Sequence, residues 1–162
     1  MGLFSKKNKW DLETSDANKA AMRVLFNKNV PDGDSYKIVY GCSQSLKSMD
    51  FLIIRSETVT VASLIVGYRD SDMSIVLAPT VPELDECGEP RFYKNTEIKK
   101  AKIVSGEYVI YHQGGMMAGY TQFSVVAENG HEDDDEEEVS AYIYQPDESE
   151  DFSAFWKRYA KG

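Results

Sequence analysis

Two periodicities alternate along this chain of 162 residues. Near its start Ala17, Ala20, Ala21, Val24 and Leu25 recur at spacings of three and four, which puts them on one face of a helix. The pattern predicts a helix over 15–29. Ser15 or Asp16 would cap it, and Asn29-Val30-Pro31-Asp32-Gly33-Asp34 would end it, because proline cannot continue the ladder. From Tyr36 the period falls to two and β-branched residues accumulate, as a half-buried pleated surface favours. Strands are predicted over Tyr36–Tyr40, Phe51–Ile54, Thr58–Val66 and Met73–Ala78, then a long irregular connection from Pro79 to Pro90. Further strands are predicted over Glu97–Val104, Tyr108–His112, Tyr120–Ala127 and Val139–Tyr144, with turns at Ser105-Gly106 and Gly114–Gly119. Pro146 is expected to close the last strand.

The helical period returns at the C-terminal end. Phe152, Phe155, Trp156 and Tyr159 fall at i, i+3, i+4 and i+7, so four aromatic rings share one face of a helix expected over 149–161. Asp147 or Ser149 can cap it. Glu148, Glu150 and Asp151 lie near the positive end of its dipole, and Lys157, Arg158 and Lys161 near the negative end. At roughly 25 cal/mol per Å² and about 150–250 Å² per ring, docking this face on a sheet would contribute several kcal/mol.

Seven or eight short strands joined by hairpin-like turns, then one amphipathic helix, predict a mainly β fold (α+β by count). The expected architecture is an antiparallel sandwich or partial barrel closed by the C-terminal helix, preceded by an N-terminal helix. The organisation along the chain is a basic arm over 1–14, a helix over 15–29, and a β domain over 34–162 carrying an acidic loop at 131–138. From Tyr36 to Tyr159 the chain resembles the pleckstrin-homology-like superfold, in particular its bacterial members. The resemblance is carried by the strand count, the interruption at Pro79–Pro90, and Asp151-Phe152-Ser153-Ala154-Phe155-Trp156 following the last strand. It implies a scaffold for phospholipid, peptide or protein binding rather than catalysis. Members that bind phosphoinositides carry several Lys and Arg around the loop after the first strand, whereas Gly41–Ser48 here offers Lys47 alone.

Composition changes the picture at one place. The formal net charge is −9, and eleven carboxylates with no Lys or Arg lie within 131–151; the other 16 acids against 18 Lys and Arg leave +2 on the rest. A chain so charged is not expected to bind nucleic acid, which needs clustered cations. No apolar run is long enough to cross a bilayer, and the basic start has no apolar stretch behind it, so no secretory leader is expected. Lys6 stands where a myristoylation motif wants Ser or Thr. Cys42 and Cys87 are too few for a disulfide framework and are expected reduced, which makes a cytoplasmic location the expectation.

Candidate chemistry is sparse. Glu132–Glu138 could attract a hard cation, dock a basic partner, or simply be a solvated loop; it lacks the spaced ligands of a dedicated site, and no metal or cofactor is expected. His112 and His131 have no nucleophile in a recognisable setting, and the acids around Cys87 disfavour its thiolate. Within Arg91–Lys102, five cations face one carboxylate, and Lys100 and Lys102 share one strand face while Lys99 points the other way. The residues expected to meet a partner or a membrane surface are Phe4, Lys6, Lys7, Lys9 and Trp10 on the basic arm and Met116 and Met117 at the glycine-rich tip. Phe152, Phe155, Trp156 and Tyr159 are the structural residues of the closing helix. The expected function is a non-catalytic intracellular binding or scaffolding module for a protein partner or membrane surface. The alternatives are a small β-barrel with an apolar ligand inside, and a homo-oligomeric assembly protein joined through its N-terminal helix.

Overall fold

A computed structural model describes residues 10–43, 62–114, 119–130 and 140–161. Helix α1 spans Leu12–Asn29 and is followed by a short 3-10 turn at Gly33–Ser35. Strands β1 (Lys37–Ser43), β2 (Ala62–Arg69), β3 (Ser74–Thr80) and β4 (Arg91–Lys94) form one antiparallel sheet in that order. A second sheet holds β5 (Ile98–Val104), β6 (Glu107–His112) and β7 (Tyr120–Phe123), and a small ribbon pairs β8 (Glu128–Asn129) with β9 (Ile143–Tyr144). Helix α2 runs Pro146–Lys161. The molecule is a β sandwich closed by its C-terminal helix. The sheets meet at one corner, where the Cys42 and Ser124 amides each donate to the other's carbonyl at 3.0 and 2.8 Å. Among the described residues, no helix is long and apolar enough to cross a membrane.

The inner faces of both sheets enclose the main core. Val39, Leu64, Val66, Tyr68, Ile75, Leu77 and Tyr93 from the first sheet meet Ile98, Ala101, Tyr108, Ile110 and Phe123 from the second. Into the gap between them α2 inserts Phe152, Phe155, Trp156 and Tyr159, all buried. Tyr108 lies 5.0 Å from Phe152 and 4.8 Å from Trp156, ring centre to ring centre, with edges turned to faces as the ring quadrupoles prefer. The helix begins at Pro146, three residues before the expected start. Proline suits a first turn because its missing N–H would have no intrahelical partner there, and the Gln145 carbonyl accepts from the Ser149 amide at 2.9 Å. Polar contacts extend the fit at the rim: Arg158 donates two bonds to Asp70, and Lys37 and Tyr68 both reach Asp151.

A second core lies on the outer face of the first sheet, under α1. Its members are Met22, Phe26 and Val30 of the helix region, with Tyr36, Tyr40, Ile65, Val76 and Ala78 beneath them. The alanine stripe expected to form the buried face does not decide it: Val24 is 68% exposed, and the larger Met22 and Phe26, one turn apart, set the orientation. Gly67 in β2 makes room for this, since a Cβ there would collide with the Phe26 ring. Helix α1 also begins earlier than expected. Asp11 caps it, accepting from the Thr14 amide at 3.1 Å, while Ser15 sits buried inside the helix and accepts from the Tyr144 amide at 2.8 Å. The Asn18 side-chain amide donates to the Tyr142 carbonyl at 2.9 Å. Helix α1 is thus stapled along β9, and Met22 and Phe26 on its apolar face are buried within the chain.

Three strands differ from the predicted pattern. Arg91–Lys94 was not expected as a strand; β4 is a short edge strand that buries Tyr93 alone, so its periodicity is too brief to register. The expected strand Tyr120–Ala127 breaks after Phe123, and Val139–Tyr144 reduces to Ile143–Tyr144 among the described residues. Phe51–Ile54 and residues 58–61 lie outside the described residues. The Ser105-Gly106 turn is a tight hairpin with φ of 51° and 80°, the left-handed pair that matches strand twist.

An acid-sensitive contact closes the β2–β3 hairpin. Arg69 holds Asp72 by two bonds, at 3.0 and 2.8 Å, and the Ser74 hydroxyl donates to the same carboxylate at 2.7 Å. These donors, Arg69 foremost, pull the Asp72 carboxyl down to about 2. A carboxylate depressed in the folded state stabilises above its unfolded value, and the benefit is lost as pH falls through the folded value. The wild-type chain should therefore exceed Asp72→Asn by about 1–2 kcal/mol at neutral pH, with the gap closing between about pH 4 and pH 2. Urea midpoints measured across that range check it; a gap that persists at the acid end would place its origin elsewhere.

Candidate binding face

The layers account for three of the four broad sheet faces. The two inner faces meet each other and α2, and α1 covers the outer face of the first sheet. On the outer face of β5–β6–β7, no described element packs.

Register defines what stands there. Lys100 pairs with Tyr111, Lys102 with Val109 and Val104 with Glu107; across the next ladder Tyr111 pairs with Tyr120 and Val109 with Gln122. Directly paired residues share a face, and Ala101, Ile110, Tyr108 and Phe123 alternate with them into the core. A register shift between Ile98 and Lys100 keeps both Ile98 and Ala101 buried and sets the following lysines outward. Lys100 Nζ lies 5.0 Å and Lys102 Nζ 5.4 Å from the centre of the Tyr111 ring. Tyr120 adds a second ring 6.1 Å from the first. Glu107 turns its carboxylate to the Gln122 amide. Val109, buried yet outside both cores, lies in register between Lys102 and Gln122.

The residues singled out in the sequence fall in different places. Phe4, Lys6, Lys7, Lys9, Met116, Met117 and the acidic run Glu132–Glu138 lie outside the described residues. Trp10 does not belong to an exposed contact set: it is 6% exposed, packs with centroids 4.7 and 5.1 Å from Tyr142 and Tyr144, and donates its indole N–H to Glu128 at 3.0 Å. An arm that ends by anchoring the cap of α1 has reason to bury its largest ring. Tyr111 and Tyr120 were not singled out; the alternation in Tyr108–His112 shows that Tyr111 points away from Tyr108, but only the β5–β6 register brings it under the lysines.

The other chemical groups are held by structure. His112 Nε2 lies 2.8 Å from the Thr121 hydroxyl, and burial, aided by Arg91, lowers its basicity. Burial pushes the Cys87 thiol up. Cys42, Ser63 and Thr80 on β1, β2 and β3 stand in one row with Cys87, which is bridged to Thr80, so the cysteines are separated by three strand spacings, about 14 Å, too far for a disulfide. No three or more His, Cys, Asp or Glu among the described residues gather as a metal site would require. An open groove of about 350 Å³ separates α1 from the start of α2, where Lys19 is paired with Glu148 at 2.5 Å. No family model, no curated protein and no solved structure matches this chain.

Proposed function

We propose that the protein is a non-catalytic binding module that engages a protein partner through the outer face of β5–β6–β7. One observation carries this reading: it is the broad sheet face on which no described element packs, and it presents paired aromatic and cationic side chains instead of the small polar residues of an idle surface. The space between the sheets is filled by rings, which favours an external site over a ligand held inside. The four-plus-three arrangement of strands with a closing helix supports the resemblance to pleckstrin-homology-like scaffolds, and with it a binding role.

A photo-crosslinking residue placed at Val104 on this face should yield a discrete product with a partner in the source cell. The same residue at Val24, exposed on α1, should not. Equal products from both positions, or none from Val104, would remove the reading.

A further inference from the structure

Resting on that reading, we propose that Lys100 and Lys102, held over the Tyr111 ring, bind an acidic segment of the partner protein. The first support is charge. Four cations elsewhere in the described residues stand against carboxylates, Lys19 on Glu148, Lys37 on Asp151, Arg69 on Asp72 and Arg158 on Asp70. Lys100 and Lys102 are exposed and form no ion pair with a described carboxylate, in a chain that holds 27 acids. Among the described residues, the strand with the most lysines sets two of them on one face without a paired carboxylate.

The second support is geometry. An ammonium over an aromatic face is attracted to it, so both lysines are partly ordered before any ligand arrives, which reduces the entropy lost on binding. Lys100, Lys102 and Val104 follow one another at alternate positions of β5, about 6.7 Å apart along the strand. An extended segment repeats its side chains at the same interval. It would present two carboxylates at alternate positions to the ammonium groups and an apolar side chain at the next to Val104, which is 38% exposed.

The same geometry disfavours other anions. A single strand of nucleic acid would need to stack bases on the rings, and two ammonium groups already occupy the Tyr111 face. A lipid surface rewards many diffuse cations, whereas two lysines converge here on one ring. A short acidic segment needs only the two positioned charges present.

The probe is a fluorescein-labelled peptide with Glu at two alternate positions and Leu at the next, followed by anisotropy at low ionic strength. The full chain should bind it saturably, K100E/K102E should lose about tenfold or more in affinity, and Tyr111→Leu should lose several-fold as the lysines are released. K157E/K161E, the same charge change on exposed positions of α2, should stay within about twofold. All the lysines changed are exposed, so the fold is retained. A peptide with Gln in place of Glu should not bind. If the wild-type chain is silent but a chain with Glu132–Glu138 converted to the matching amides binds through Lys100 and Lys102, the site stands and the acidic run competes for it. No binding by either chain overturns the proposal, as does an equal loss in K157E/K161E. Capture by phosphatidylserine vesicles through the same lysines, with no peptide binding, also overturns it. Crosslinking from Val104 without peptide binding would sink the acidic partner while leaving the binding face intact.

Discussion

Replacing Trp156 by alanine is expected to cost about 3–5 kcal/mol, a large share of the roughly 5–15 kcal/mol that holds a domain of this size together. The indole is 2% exposed and meets four rings: Tyr108, Tyr159, Phe123 and Phe152, with centroids 4.8, 5.4, 6.1 and 6.1 Å away. Each of those rings is itself fixed by another, Tyr68 against Phe152 at 5.1 Å and Tyr108 against Phe123 at 5.6 Å. Rigid neighbours cannot collapse into the space left behind, so the cavity penalty adds to the lost transfer energy. Urea unfolding followed by far-ultraviolet circular dichroism measures it, with Lys157→Ala, one position along on the exposed side, expected within about 0.5 kcal/mol. A loss below about 1 kcal/mol for Trp156→Ala would mean that α2 is not a wall of the core.

That helix was legible because four large residues at helical spacing leave one solution, and the flanking charges agree with it. Helix α1 was legible as a helix but not in its orientation. Its alanines satisfy the helical period without burying much area, whereas Phe26 needs a partner that local sequence does not name. The partner is Gly67, in β2 and far along the chain, and its missing side chain is what lets the ring reach the sheet. A glycine inside an otherwise apolar strand was the available signal. Trp10 is buried for a related reason: basic neighbours suggest an arm, but the rings that hold it, Tyr142 and Tyr144, come from the other end of the chain.

The binding face divides in the same way. That Lys100 and Lys102 share a side follows from the two-residue period alone. That they converge on Tyr111 depends on the β5–β6 register, which the shift after Ile98 adjusts, and shifts of this kind have no composition of their own. That no described element covers the face depends on α1 having gone to the other sheet. Local alternation therefore identifies the chemistry of a strand face, and long-range packing decides whether that chemistry is spent inside the fold.

Gln145 is the residue whose importance is least visible from its neighbours and among the greatest in the structure. It precedes Pro146 in what reads as a loop, yet it is buried, and its amide does the work of a missing strand. Its Oε1 accepts from the Tyr40 amide at 2.9 Å while its Nε2 donates to the Tyr40 carbonyl at 2.9 Å and to the Val126 carbonyl at 2.9 Å. Its own backbone amide donates to the Ala127 carbonyl at 2.7 Å. One side chain thus continues the ladder of β1 where β7 has left it, and ties β1 to the residue that leads into α2. Gln145→Leu keeps the volume and strands the Tyr40 amide and carbonyl away from water, while the Val126 carbonyl keeps the Asn129 side-chain donor; at about 1–3 kcal/mol for each unsatisfied group, a loss of about 2–5 kcal/mol is expected. Gln145→Glu separates hydrogen bonding from shape. An ionised carboxylate can still accept from Tyr40 but sets an oxygen against two carbonyls, so burial and those acceptors raise its pKa in the folded state. A raised carboxylate binds its proton more tightly folded than unfolded, so Gln145→Glu should regain stability as pH falls from about 8 to about 5, where the wild-type chain gains nothing. Chemical unfolding of Gln145→Leu and Gln145→Glu at both ends of that range distinguishes the cases: parallel pH dependence of Gln145→Glu and wild type would mean that the amide is not a bridge between β1 and α2.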